Sequence, residues 1–122
     1  MLARLVYAEA GGINSDTEQS CVIWTVLNRV DSEDFPDTIA KCITQSGQYY
    51  YLPKSKVRDH SLWLAEDVVT RWEREKAGET NVGRTLPAGY MFFHGKNGHN
   101  WFKTSCRSRN YWDYSLESPY ES

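Results

Sequence analysis

Residues 21–30, CVIWTVLNRV, form a segment too hydrophobic to lie on a protein surface as a helix. A helix that is apolar around most of its circumference is buried, so other elements must pack around it. Ser15 or Asp16 can cap its start, and we predict a central helix from there to about Val30. The predicted buried positions are Val22, Ile23, Val26, Leu27 and Val30, with Cys21 and Trp24 widening the stripe.

Three further helices are predicted around the central one. The first covers the N-terminal residues up to Ala10, because two glycines follow and glycine commonly ends a helix. A short third helix, with Asp37 or Thr38 as its cap, runs through Ile43, and a fourth covers roughly residues 61–76. Its inner face is predicted to hold Leu62, Ala65, Val68, Val69 and Trp72, and its outer, solvated face Glu66, Asp67, Arg71, Glu73, Arg74 and Glu75.

A β-hairpin is predicted near the C-terminal end. Two short aromatic runs flank Gly95-Lys96-Asn97-Gly98, a pattern typical of strands joined by a tight turn. With 122 residues there is room for one domain with one core, which we assign to residues 1–122. The predicted fold class is therefore mainly α, of the α+β type, with one small hairpin. The aromatic and polar stretch after Phe102 has no clear periodicity, and its placement is not predicted.

The composition favours a binding surface rich in aromatic rings. Aromatic residues make up 14% of the chain, and a protein this small cannot bury all 8 Tyr and 5 Trp. Exposed Tyr and Trp commonly serve binding sites. A net charge of −2 with scattered basic residues does not favour a nucleic-acid partner. No hydrophobic run has transmembrane length and no signal peptide precedes the first helix, so the sequence does not indicate by which route the protein is exported.

Glu9 is the candidate general acid. It follows Leu2, Leu5 and Val6 on one helical stripe, in the last turn before the glycines. Partial burial and the negative end of the helix dipole both disfavour the ionised carboxylate, so such a group keeps its proton to higher pH. A solvated glutamate, or one paired with Arg4, is the alternative interpretation.

Five phrases in order resemble a known family. LARLVYAEAGG, then VIWTVLNRV, FPDTIAKCI, QSGQYY and MFFHGKNGHNWF together are similar to the cell-wall hydrolase family of the spore cortex-lytic type. The resemblance covers most of residues 2–102 and leaves the tail beyond Phe102 outside. It implies a lysozyme-like fold related to lytic transglycosylases, with the catalytic glutamate at a helix end above a sugar groove.

The resemblance implies cleavage of peptidoglycan glycan strands between N-acetylmuramic acid and N-acetylglucosamine. The glutamate, here Glu9, protonates the glycosidic oxygen, and the muramic acid 6-hydroxyl closes on its own anomeric carbon to leave a 1,6-anhydro end. The implied place of action is the bacterial cell wall or the spore cortex, with peptidoglycan as partner. The sequence leaves open which of these two walls is the substrate, whether the origin is bacterial or phage, and whether a regulatory protein binds.

One position departs from the family pattern. Ile13 stands where the family commonly has a second acid, and a two-carboxylate glycosidase needs such a partner. Asp16 and Glu18 follow, but as helix-start residues they are explained by capping and by the helix dipole. The departure favours a single-acid lytic transglycosylase or else a weakened enzyme. A hydrolytic muramidase on the same fold and a non-catalytic glycan-binding module remain as alternatives.

The other candidate residues are assigned to substrate binding. Gln48 and Tyr49 lie on the loop that matches the family's glutamine-rich phrase, with an amide suited to acetamido groups and a ring suited to a pyranose. The remaining candidates are Tyr7, Arg29, His94, Asn100 and Trp101. For Arg29, bonding to local helix-end carbonyls is the alternative role.

No cofactor and no metal are expected. His94 and His99, with His60 or Cys106, lack the tight ligand-pair spacing of a zinc site, so structural or groove-lining histidines are preferred. The number of cysteines, three, leaves at least one thiol free in a monomer, and a Cys42–Cys106 bridge is left open.

Overall fold

A computed structural model describes residues 2–10, 15–44, 59–96, 99–112 and 118–120, with residues 7–10 and 96 described by their backbone. The chain forms four helices and a two-stranded antiparallel sheet within these ranges: α1 Leu2–Ala10, α2 Asp16–Val30, α3 Ile39–Thr44, α4 Asp59–Lys76, β1 Phe92–Lys96 and β2 His99–Lys103. The predicted class, mainly α with a hairpin near the C-terminal end, is confirmed. None of these helices is both long and apolar enough to cross a membrane.

Helix α2 is the centre of the molecule, as its composition predicts. Every residue from Thr17 to Arg29 is buried, and Trp24 is completely enclosed. The Ser15 side chain caps the helix by accepting a hydrogen bond from the Glu18 backbone N–H at 3.1 Å. The predicted span of this helix is confirmed at both ends.

Helix α4 runs parallel to α2. His60 in the first turn of α4 bonds to Asp16, and Trp72 and Lys76 near its end donate to Asp31, just beyond α2. Gly78 follows α4 with a φ of +102°, a left-handed conformation that suits glycine and ends the helix.

The predicted inner face of α4 is wrong at one position. Leu62 is 47% exposed, whereas Leu64 is fully buried. The buried stripe is Ser61, Leu64, Ala65 and Val68, positions three and four residues apart that share one side of a helix, and α4 packs against α1 and α2.

The outer face of α4 is not wholly solvated either. Asp67 and Arg71 pair with each other at 2.8 Å, and Asp67 also accepts a hydrogen bond from the Tyr120 hydroxyl at 2.6 Å. Glu75 binds the Arg84 guanidinium through both carboxylate oxygens. These three charged side chains therefore attach the segments that follow α4 to the helix.

The hairpin lies lengthwise along α2, with its turn toward the start of that helix. Arg29, near the end of α2, donates to the carbonyl of Met91 just before β1, while Glu18, near the start, contacts His99 and Asn100 at the beginning of β2. In register, Gly95 pairs with Asn100 and Lys96 with His99, so Gly95 and Lys96, which the sequence assigns to the turn, belong to β1 instead. Phe102 is fully buried and packs on Phe93.

Candidate functional site

The first turn of α2 is a junction of several elements. Asp16 accepts from His60 Nε2 of α4 at 2.6 Å, and the Thr17 hydroxyl donates to Ser118 near the C-terminal end at 2.7 Å. Glu18 contacts the hairpin. The start of α4, the hairpin turn and the C-terminal segment therefore meet at one end of the central helix.

Glu18 is a buried carboxylate with defined partners on the hairpin. It is 1% exposed; Oε1 lies 2.9 Å from His99 Nδ1, and Oε2 accepts the backbone N–H of Asn100 at 3.0 Å. These bonds and the positive end of the α2 dipole offset the loss of hydration of the charge. The sequence-based explanation by capping is incomplete, because Ser15 is the cap and the Glu18 carboxylate points to the hairpin.

A signal for Glu18 was present in the sequence. Glu18 precedes Val22 by four residues and Val26 by eight, so it lies on the buried stripe of α2. This is the criterion that singles out Glu9. Capping and the helix dipole at the start of α2 also account for a glutamate at this position, so sequence reasoning does not identify the contact of Glu18 with the hairpin.

His99 is the exposed member of this contact. Its side chain is 56% exposed although Nδ1 faces a fully buried carboxylate. A carboxylate on Nδ1 favours the tautomer with the proton on that nitrogen and fixes the plane of the ring. The arrangement gives the hairpin an oriented imidazole beside its turn, at a residue that sequence reasoning had set aside as structural or groove-lining.

His94 and Trp101 are brought together, and a third ring joins them. The two residues are partners in the hairpin register. Tyr111, which is 43% exposed, contacts His94 with ring centroids 5.7 Å apart and Trp101 at 5.5 Å, both edge to face. We call these three residues the aromatic cluster. Tyr111 comes from the stretch whose placement the sequence did not predict, and the backbone bond from Trp112 N–H to the carbonyl of Phe102 holds that stretch against β2.

Asn100 faces the opposite side of the hairpin. It is 3% exposed, and its amide nitrogen is buried with no hydrogen-bond partner among the residues that the structure describes. Its backbone N–H is the group that binds Glu18. The structure thus gives Asn100 an anchoring contact, and its assignment to substrate binding stays a prediction.

Arg29 and Asn28 hold the other end of the hairpin. Arg29 is 3% exposed, donates from Nε to the carbonyl of Met91 at 2.7 Å, and lies over the rings of Phe35 and Phe92. The carbonyl is distant in sequence rather than local to the helix end. Asn28 binds the carbonyls of the segment before β1 in the same way. A substrate contact of Arg29 stays a prediction.

Glu9 lies in the last turn of α1, as predicted from its position before the glycines. Its side chain and that of Tyr7, together with Gln48 and Tyr49, lie outside the described residues. Helix α1 ends at Ala10 and α2 begins at Asp16, so the connection restricts their separation to about 20 Å. The end of α1 that carries Glu9 is therefore tethered to the junction at the start of α2.

Two of the three cysteines are poor nucleophiles. Burial raises the pKa of the Cys21 thiol to about 12, and burial also raises the pKa of Cys42. All three thiols, including that of the exposed Cys106, are free, so there is no Cys42–Cys106 bridge. Across the described part of the chain, no three His, Cys, Asp or Glu side chains are grouped so that they could hold a metal ion.

The chain matches a sequence model of a known protein family. A sequence model of the family described as Cell Wall Hydrolase matches residues 14–114. The match begins after Glu9 and reaches past Phe102, so it includes Tyr111 and the first part of the tail that the family resemblance had left out. No curated protein and no solved structure matches the chain.

Proposed function

Because this chain belongs to the cell wall hydrolase family, we propose that it cleaves peptidoglycan glycan strands between N-acetylmuramic acid and N-acetylglucosamine. The reaction we propose is that of a lytic transglycosylase, with Glu9 as general acid and then general base. Membership of the family implies action on peptidoglycan at the cell wall. The bond cleaved, the mechanism and the role of Glu9 are our proposal.

The position of Glu9 at a helix end is the observation that carries the assignment. Helix α1 ends at Ala10, so Glu9 belongs to its last turn. The negative end of a helix dipole disfavours a carboxylate, which helps the carboxyl group keep the proton that a leaving oxygen needs. The preceding turn packs Leu5 and Val6 in the core, so the backbone at this helix end is firmly supported.

The carboxylates next in sequence support a mechanism with one acid. Both oxygens of Glu18 are bonded to the hairpin and the side chain is buried, so it is not available as a nucleophile or as a base for water. Asp16 is bonded to His60. A two-carboxylate glycosidase would need a second acid at a defined distance from Glu9. We therefore propose neither residue as that second acid.

The substrate itself can supply the missing group. In the proposed reaction, Glu9 gives its proton to the glycosidic oxygen as the bond to the anomeric carbon breaks. The muramic acid 6-hydroxyl then attacks that carbon and returns its proton to Glu9, so the carboxyl group is regenerated and no water is consumed. Since the hydroxyl is tethered to the reacting sugar, its effective concentration is that of an intramolecular group.

The substitution Glu9→Gln tests the acid. The amide keeps the shape of the side chain but has no proton to donate, so we expect wall-clearing activity to fall by ~10²–10⁴-fold. Glu73→Gln, an exposed position on α4, is the matched control and should clear walls as the wild type does. Activity of Glu9→Gln within tenfold of wild type would show that another group is the acid.

Product analysis separates the alternatives on the same fold. A transglycosylase leaves 1,6-anhydro-muramyl ends that weigh one water less than reducing ends and resist borohydride. A hydrolytic muramidase leaves reducible ends that contain labelled oxygen when digestion is run in H₂¹⁸O. Wild-type protein that binds walls without releasing fragments would identify a non-catalytic glycan-binding module. Parallel digests of vegetative walls and spore cortex identify the preferred substrate.

The Gln48–Tyr49 loop is proposed to position the glycan. Alanine at either position should lower activity with little change in the free energy of unfolding, because both residues belong to a predicted loop. Wall clearance and urea unfolding measured on the same preparations check this expectation. A Tyr49→Ala variant that does not fold would assign the ring to the core instead.

A further inference from the structure

A charged side chain lies buried beneath an exposed one at the hairpin turn. Glu18 is 1% exposed while the His99 side chain bonded to it is 56% exposed. Burying a carboxylate is unfavourable unless its bonds replace the lost hydration. A neutral glutamine could also accept the Asn100 N–H and anchor the strand. Anchoring of β2 therefore does not require the negative charge of Glu18. The group on which this charge acts is the imidazole of His99.

The effect of the carboxylate on the imidazole is chemical as well as geometric. Its oxygen favours the proton on Nδ1, so in the neutral ring the lone pair lies on Nε2, which becomes a hydrogen-bond acceptor. The same contact fixes the direction of that lone pair. Carboxylate–histidine pairs of this kind orient a histidine for its contact on the other side of the ring.

His99 lies on the same face of the hairpin as the aromatic cluster. Side chains two residues apart on a strand share a face, so His99 and Trp101 are neighbours on one side of β2. His94 is the register partner of Trp101, and Tyr111 contacts both rings in T-shaped arrangements. Rigid rings with an oriented polar group beside them suit a ligand with apolar ring faces and hydroxyl edges, as a pyranose has.

We infer that His99 accepts a hydrogen bond from a hydroxyl or amide N–H of the glycan strand, beside a sugar-stacking surface formed by the aromatic cluster, and that Glu18 is the residue that positions His99. This inference rests on the proposed function for its choice of ligand. It assigns a substrate contact to a residue outside the sequence-predicted set and a positioning role to a residue first explained by helix capping.

Binding to purified, insoluble peptidoglycan tests the substrate contact. All variants carry Glu9→Gln so that the wall stays intact during a sedimentation assay. His99→Ala should weaken binding at least tenfold, and Tyr111→Ala should weaken it as well. His60→Ala is the matched control, because its imidazole is also 56% exposed and also bonded to a carboxylate of the first turn of α2. Binding by His99→Ala equal to that of the control overturns the inference.

Folding is checked separately on each variant by its thermal midpoint. Should His99→Ala fail to fold, His99→Lys decides the matter. Its ammonium can donate to Glu18 and keep that carboxylate paired, but it has no acceptor atom, so weak binding by a folded His99→Lys supports the contact. Wild-type binding by that variant overturns it.

The substitution Glu18→Gln tests the positioning role. The glutamine oxygen must accept the Asn100 N–H, so its NH₂ group faces His99 Nδ1 and moves the ring proton to Nε2. The protein has 3 histidines, so ¹⁵N NMR of the ring nitrogens can report this change of tautomer directly. We expect the His99 tautomer to change and peptidoglycan binding to fall with it. A changed tautomer with unchanged binding overturns the positioning role.

The binding assay distinguishes failure of this inference from failure of the proposed function. Sedimentation with peptidoglycan does not depend on cleavage, so a protein that binds through His99 without cutting glycan refutes the transglycosylase proposal alone. A wild type that cleaves walls while His99→Ala binds and cleaves equally well refutes this inference alone. Wild-type protein that does not bind peptidoglycan overturns the inference too.

Discussion

Replacing Asn28 with alanine should release the segment that leads into the hairpin. Asn28 is 2% exposed and lies in the last turn of α2. Its amide nitrogen donates to the carbonyls of Pro87 and Tyr90, both at 2.9 Å, and its oxygen accepts from Arg84 Nη1 at 2.9 Å. The alanine variant loses three hydrogen bonds at once and leaves two carbonyls and one guanidinium N–H without this partner.

The expected loss of stability follows from these bonds. Each neutral bond contributes about 1 kcal/mol and a bond to a charged group about 1.5–3 kcal/mol, so the substitution should cost roughly 4 kcal/mol. A domain of this size is stable by about 5–15 kcal/mol, so this is a large fraction of the total. The midpoint of thermal unfolding should fall by roughly 15 °C.

Urea unfolding followed by tryptophan fluorescence measures this loss. Asn110→Ala, at an exposed position in the tail, is the matched control and should change the free energy of unfolding by less than about 0.5 kcal/mol. Asn28→Asp keeps an acceptor for Arg84 but sets a carboxylate against two carbonyl oxygens, so it should not recover the loss at neutral pH. An Asn28→Ala variant destabilised by less than about 1 kcal/mol would refute the argument that this amide anchors the hairpin segment.

Two further predictions concern ionisable side chains. Hydrogen bonds from Arg84 hold the pKa of Glu75 below its ordinary 4.5, although partial burial opposes this shift. The Glu75–Arg84 pair therefore stabilises the fold above pH 4.5, and this stabilisation is lost as the pH falls through the lowered pKa. In urea titrations, the difference between wild type and Glu75→Gln should therefore shrink between pH 5 and pH 3, and a difference independent of pH would contradict the pairing. Ellman's reagent at pH 8 should label the exposed Cys106 rapidly and label Cys21 and Cys42 only after unfolding, because burial raises the pKa of both thiols. Equal native labelling of all three would show that the core is open.

Local sequence signals determined where the helices and the hairpin lie. The start of α2 depends on the Ser15 hydroxyl and the N–H groups within three residues of it, and the start of α3 depends on the Thr38 hydroxyl, which accepts from the Lys41 N–H at 3.1 Å. Because caps, turns and hydrophobic periodicity involve neighbours within about four residues, they can be identified in the sequence before any packing is known. The placement of Glu9 in the last turn of a helix was predictable for the same reason.

The rotation of a helix about its own axis is less well determined. Leu62 and Leu64 are equally hydrophobic, and both fit an amphipathic pattern in α4. Contact with α1 and α2 selects the side that carries Leu64 and leaves Leu62 at the surface. The amphipathic pattern of a sequence thus predicts the existence of a buried helix face more reliably than it predicts which residues form that face.

The candidate site depended on contacts between residues far apart in the chain. The sequence alone determined that α2 is central, that a hairpin follows α4 and that Glu9 lies in the last turn of α1, since each of these rests on near neighbours. Only the tertiary structure decided that the hairpin lies along α2 with its turn at Glu18, and that the tail brings Tyr111 to Trp101. Glu18 and His99 are 81 positions apart in the sequence. Their hydrogen bond forms only because the hairpin packs on α2 and brings these two residues together.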